Sequence, residues 1–135
     1  MATTRVLIVD DISRVRHELR TLLDLSGRIQ VIGEAADGAE AVRLALQLRP
    51  DVVLMDLEMP VLDGYAAARQ IKADHPCCRV IALSIHEDAR AREQAQEAGM
   101  DAYVPKGGAL KDLLDAILAG NIASRISRAE NGEVP

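Results

Sequence analysis

Five short, β-rich apolar runs recur along the chain, and stretches of helical periodicity lie between them. The runs are Val6 to Val9, Ile29 to Ile32, Val52 to Met55, Val80 to Leu83 and Ala102 to Val104. No other feature constrains the fold as strongly. A strand followed by a helix and then another strand demands a crossover. Repeated crossovers of one hand yield a parallel sheet covered on both faces, an α/β doubly wound sandwich. Five such units are too few to close an eight-stranded barrel.

The helical stretches carry their own signals. The first reads from Ser13, with Val15, Leu19, Leu22 and Leu23 on one face. The second opens at Asp37 as a cap and ends before Pro50. The third follows Gly64, with Ala67, Ala68 and Ile71 inward. The fourth spans about Glu87 to Ala98 and stops at Gly99. The fifth runs from Ala109 to about Ala119, with Leu110, Leu113, Leu114 and Ile117 facing in. With no Phe and no Trp, the core has to be aliphatic. The glycines at 33, 38 and 64 form no phosphate-cradling motif and read as turn residues.

Length and charge narrow the function. At 135 residues a single domain is the expectation, here residues 1–120, followed by a polar tail or linker over 121–135. A net charge of −5, without a run of Lys or Arg, argues against direct nucleic-acid binding. No apolar stretch approaches the roughly 20 residues of a membrane span, and the N-terminus leads straight into a strand, so a cytoplasmic chain is expected. Cys77 and Cys78 are adjacent and lack metal-ligand spacing, which fits a reducing compartment. His17 and His75 read as solvated surface residues.

In an open α/β sheet the working crevice lies beyond the carboxyl ends of the strands. Asp10 and Asp11 follow the first strand, Asp56 the third, Ser84 the fourth and Lys106 the fifth. All five are expected at one end. Converging carboxylates repel one another unless a cation intervenes, and Mg²⁺ suits a few carboxylates completed by phosphate oxygens. Lys106 adds a cation and Ser84 a hydroxyl donor. Such a set is built to receive a phosphoryl group, with Asp56 as the attacking carboxylate and the Asp10–Asp11 pair as the metal platform.

The segments VLIVDD (6–11), DLEMPVLDG (56–64), ALS (82–84) and AYVPK (102–106), in this order and spacing, resemble the receiver domains of bacterial two-component response regulators. The details EAADGAEAV, LSIHED and GMDAYVPKGG are most similar to receivers of the NarL and FixJ type. The resemblance implies a flavodoxin-like (βα)5 fold with strand order 2-1-3-4-5. It implies that Asp56 accepts a phosphoryl group from a histidine kinase or phosphotransfer protein. Asp10, Asp11 and Asp56 would hold Mg²⁺ with the Glu58 backbone carbonyl, Lys106 would pair with the phosphate, and Ser84 would close onto it. Tyr103 stands where such domains keep a switch aromatic. The fourth helix, fifth strand and fifth helix would form the readout surface, controlling a downstream partner or output domain, with a homodimer on phosphorylation left open.

The chain would be no enzyme beyond its own aspartyl phosphorylation and dephosphorylation. Arg14, Arg16 and Arg20 on the first helix read equally well as a kinase-docking face or a solvated one. Glu58 and His86 are expected to tune water access and phosphoryl lifetime, and the bulk of Ile85 to narrow access for phosphodonors. Pro105 calls for an edge strand, and the geometry of the Lys106–Gly107 bond is open. The competing readings are a receiver excised from a DNA-binding regulator, a flavin-binding module, an aspartyl phosphatase, and a degenerate, phosphorylation-independent receiver, against which the intact site argues. The flavin module fits poorly because Asp10 and Asp11 would repel a flavin phosphate; the phosphatase, because its nucleophile usually follows the first strand.

Overall fold

The computed structural model describes residues 3–59, 62–85 and 89–119. The strands are β1 (Thr4–Val9), β2 (Ile29–Ala35), β3 (Val52–Asp56), β4 (Arg79–Ser84) and β5 (Ala102–Pro105). Between them lie α1 (Ser13–Leu25), α2 (Gly38–Leu48), α3 (Gly64–Asp74) and α4 (Ala89–Glu97), and a last helix, α5, covers 110–119. All pairings are parallel, in the order β2-β1-β3-β4-β5. The doubly wound expectation and its strand order are what the chain adopts. Glu87 and His86 lie outside the described residues, as does the expected tail over 121–135.

The strand sequences explain why alternation of polar and apolar residues was absent. Leu7, Val9, Val53, Met55, Val80 and Ala82 face one buried cluster, with α2, α3 and α4. Their neighbours Val6, Ile8, Val52, Leu54, Ile81 and Leu83 face the other, with α1 and α5. A sheet buried on both faces needs apolar residues at both parities. The helices over the first face contribute mainly alanine, at Ala41, Ala45, Ala67, Ala68 and Ala95, with Ala98 just beyond α4. Small side chains let those helices approach the sheet closely, so the core fills without an aromatic ring.

Local chemistry fixes the helix starts. Asp37 caps α2 by accepting from the Glu40 backbone N–H at 2.8 Å, while the Glu40 carboxylate reaches back to the Ala36 N–H at 2.8 Å. Asp63 caps α3 through the Ala66 N–H at 2.8 Å. These reciprocal bonds satisfy donors that a helix start leaves open.

Three expectations need correction. Leu22 and Leu110 are not core residues: they are 41% and 38% exposed. They line an open groove of about 350 Å³ between α1 and α5, together with Val15 and Leu19, because each sits at the edge of its helix's apolar stripe. His75 is half-buried at the end of α3, and burial lowers its pKa. Neither Gly33 nor Gly64 is a turn residue, and Gly64 is demanded by close approach. Gly33 lies inside β2, beside the register shift at Val6/Leu7, where an added Cβ would meet Leu48 Cδ1 at 2.9 Å. At Gly64 an added Cβ would stand 2.7 Å from the Asp56 carbonyl oxygen, so only glycine lets α3 start against the end of β3.

Candidate functional site

The strand ends converge as expected. Asp56 is the last residue of β3 and Ser84 the last of β4, with Asp10 directly beyond β1 and Lys106 directly beyond β5. Asp10 is 0% exposed and Asp56 1%, whereas Asp11 is exposed. One carboxylate oxygen from each of Asp10, Asp11 and Asp56 lies within 4.8 Å of the others.

Backbone donors and one lysine hold this set. The Ile12 N–H donates to Asp10 Oδ1 at 2.9 Å, and the Glu58 N–H to Asp56 Oδ1 at 2.9 Å. Lys106 Nζ stands 3.1 Å from Asp56 Oδ1 and 3.1 Å from Asp10 Oδ2, the latter a charge contact outside hydrogen-bond geometry. Among the described residues, Asp56 Oδ2 has no hydrogen-bond partner although it is buried. Burial pushes the Asp56 carboxyl up to about 6 from an ordinary 3.8, and Asp10 adds to the rise. The Glu58 N–H and Lys106 pull the other way without cancelling it. Burial also opposes the charge on Lys106, but Asp56 and Asp10 together outweigh it and hold the ammonium above its usual pKa.

A compact acidic set with two buried oxygens, Asp10 Oδ2 and Asp56 Oδ2, lacking hydrogen-bond partners is a cradle that fits a hard cation: the donors are all oxygen, and the single lysine leaves a negative surplus. Glu58, named for its backbone carbonyl, also acts through its side chain, which accepts from Ser84 Oγ at 2.9 Å. Sequence reading missed this bond, since no periodicity links the residues after β3 to the end of β4.

It also missed Arg16, whose guanidinium donates to the Asp10 carbonyl oxygen at 2.6 Å and to Glu34 at 3.1 Å. Arg20 pairs with the same Glu34 at 3.0 Å. Arg16 thus braces the turn that carries Asp10 and Asp11, and only Arg14 of the three arginines is widely exposed, 3.8 Å from Glu18.

Tyr103 is outside the carboxylate cluster. It lies in β5, packed against the α2–α3–α4 side of the core, with the Arg92 guanidinium of α4 4.7 Å from its ring centre. β5 is an edge strand, as Pro105 requires. No described peptide bond is cis, so Lys106–Gly107 is trans, and Gly107 takes φ +77°. Ile85 is 66% exposed and stands on the surface beside Ser84.

A 2-1-3-4-5 parallel sheet that ends in two buried aspartates bridged by one lysine defines an α/β doubly wound domain with an acidic carboxyl end. The chain belongs to the response regulator receiver domain family, whose model matches residues 6–118. It is 40% identical over 115 residues to the response regulator protein VraR of Staphylococcus aureus strain N315. That alignment covers 85% of this chain and 55% of VraR, so the chain spans about half the length of the curated relatives it matches. The two-component response regulator of the LuxR family from Aurantimonas superposes with TM-score 0.81 at 34% identity, covering 96% of this chain and 99% of that one. CheY of Borrelia burgdorferi, solved as a CheX-CheY-BeF3-Mg complex, superposes with TM-score 0.80 at 27% identity, covering 87% and 89%.

Proposed function

We propose that this chain is a phosphorylation-dependent signalling switch that takes a phosphoryl group onto Asp56 from a histidine kinase or phosphotransfer protein. The observation that carries the reading is the buried Asp56 carboxylate, pressed against Lys106 and Asp10 while its Oδ2 has no hydrogen-bond partner among the described residues. A carboxylate oxygen of Asp56 forms the new O–P bond; the P–N bond of the phosphohistidine donor breaks, and its electron pair stays with the imidazole nitrogen. Lys106 offsets charge on the transferred oxygens, and Ser84 offers its hydroxyl proton to one of them. Asp10, Asp11, Asp56 and the Glu58 carbonyl would hold Mg²⁺, which when bound supplies positive charge against the carboxylates and phosphoryl oxygens. CheY of Borrelia burgdorferi, described with BeF3 and Mg, supports that choice of ion.

The product adds about −1.5 to −2 charge at the sheet's carboxyl end. A state in which Ser84 and Lys106 both engage it shifts the population toward another arrangement of α4, β5 and α5, the surface offered to a partner or output domain. The only chemistry is on the chain's own aspartate, so it is not an enzyme acting on a foreign substrate. We place this signalling in the cytoplasm; the thiols of Cys77 and Cys78, both unbridged, suit a reducing compartment. The half-length match to VraR supports a second reading of output, in which this receiver controls a DNA-binding module of a longer regulator.

Incubation with labelled acetyl phosphate and Mg²⁺ tests the proposal. Label on the wild-type chain and none on Asp56→Asn is expected. Equal labelling of both, or of neither with acetyl phosphate and with a phosphorylated kinase, overturns it.

A further inference from the structure

Ser84 is 1% exposed at the end of β4, and its backbone is pinned: its carbonyl accepts from the Lys106 N–H at 2.8 Å, across to β5. What remains adjustable is the hydroxyl, and in this state Oγ donates to Glu58 Oε1 at 2.9 Å. Glu58 sits two residues beyond Asp56, and its own N–H donates to Asp56 Oδ1 at 2.9 Å. One residue therefore grips the acceptor with its backbone and the hydroxyl donor with its side chain.

A serine hydroxyl carries a single proton. It is given to the Glu58 carboxylate or to a phosphoryl oxygen, not to both. Resting on the phosphoacceptor reading of Asp56, we propose that Glu58 is a positioning residue: a latch that holds the Ser84 hydroxyl in the unphosphorylated state and has to let go before Ser84 engages the phosphoryl group. The bond is charge-assisted, so it is about twice as strong as one to a neutral acceptor, and its loss is a cost the active state has to meet. The phosphoryl group supplies part of the release, because its negative charge repels the Glu58 carboxylate. The latch thus sets how far the resting population lies toward the inactive arrangement, and therefore how tightly a phosphoryl group or its mimic is held.

The test is a double-mutant cycle on the full chain with Mg²⁺ and beryllofluoride as the phosphoryl mimic, bound ligand being read by ¹⁹F NMR. Glu58→Ala is expected to tighten beryllofluoride binding about tenfold when Ser84 is present, the scale of one charge-assisted hydrogen bond. In a Ser84→Ala background the same change is expected to give only the smaller gain from removing a nearby negative charge. Glu58→Gln, which keeps an acceptor without the charge, falls between the two. An equal gain in both serine backgrounds, or no gain in either, overturns the latch.

Wild-type protein that binds no beryllofluoride overturns the phosphoacceptor reading and with it the latch's role in switching. The Glu58–Ser84 bond itself is read separately. A stability cycle of the same variants, melted in EDTA without any mimic, is expected to show positive coupling, and zero coupling overturns the bond.

Discussion

Two lysines stand at opposite ends of one sheet, each against aspartate, and they do opposite things. Lys72 of α3 closes the amino end: its ammonium donates to the Pro76 carbonyl at 3.1 Å, the Cys78 carbonyl at 2.9 Å and Asp101 Oδ2 at 3.0 Å. Asp101 in turn accepts the Val80 N–H at 2.8 Å. Lys106 at the carboxyl end is as exposed as Lys72, 22% against 21%, yet it faces two aspartates that are almost wholly buried. There a buried oxygen has no hydrogen-bond partner and Asp56 is pushed up to about 6. At the amino end Lys72 and Asp101 form a clamp, one cation answering one carboxylate. The carboxyl end sets three aspartates against one lysine, and that negative surplus suits a cation. A lysine–aspartate pair is therefore structural or functional according to its surplus, not its residue types.

The comparison breaks first at Asp56. Asp56→Asn is expected to remove acetyl-phosphate labelling altogether, whereas Lys72→Met, measured in the same assay on folded protein, keeps it. Stability separates the two ends in the opposite direction. In metal-free buffer at pH 7, Asp56→Asn is expected to stabilise the chain by up to about 3 kcal/mol, since each pKa unit of displacement corresponds to about 1.4 kcal/mol. The sign follows from a folded pKa near 6 above an ordinary 3.8. The destabilisation is absent below about pH 4, grows between, and is complete above about pH 6. Melting curves of both proteins in EDTA between pH 4 and 7.5 therefore converge on the acid side, and curves that stay parallel refute the buried-charge account.

Lys72→Met is expected to destabilise by about 2 kcal/mol, because it strips a charged donor from two carbonyls and a carboxylate; chemical denaturation reads it. An unchanged midpoint would mean the amino end is no clamp. The smallest effect is expected at Arg92→Gln, about 0.5 to 1 kcal/mol for an exposed cation over a ring. It is better seen as a shift in tyrosine fluorescence, since Tyr65 and Tyr103 are the only rings of that kind in the chain.

What the sequence made legible follows from reach. Apolar runs ending in Asp56, Ser84 or Lys106 declare both the strand and the end at which its chemistry sits, so the fold and most of the carboxylate set were readable one segment at a time. The Asp37 cap was readable for the same reason. Lys72 was not: two of its partners are backbone carbonyls, which carry no residue identity. Nor was the Glu58–Ser84 bond, which joins the residues following β3 to the end of β4. Leu22 and Leu110 were misplaced because helical periodicity gives a direction but not the width of the interface, and the gap between α1 and α5 leaves their edge open. Gly33 was misread because a strand glycine beside a bulge looks, in sequence, like any turn glycine.

The Lys106 amide, bonded to the Ser84 carbonyl at 2.8 Å across the edge of the sheet, ties the carboxyl ends of β4 and β5 together. The Ser84 and Lys106 side chains therefore reach the carboxylate cluster from one shared rung of backbone. In hydrogen-exchange terms, that amide is expected to be a slow proton at the edge of the sheet.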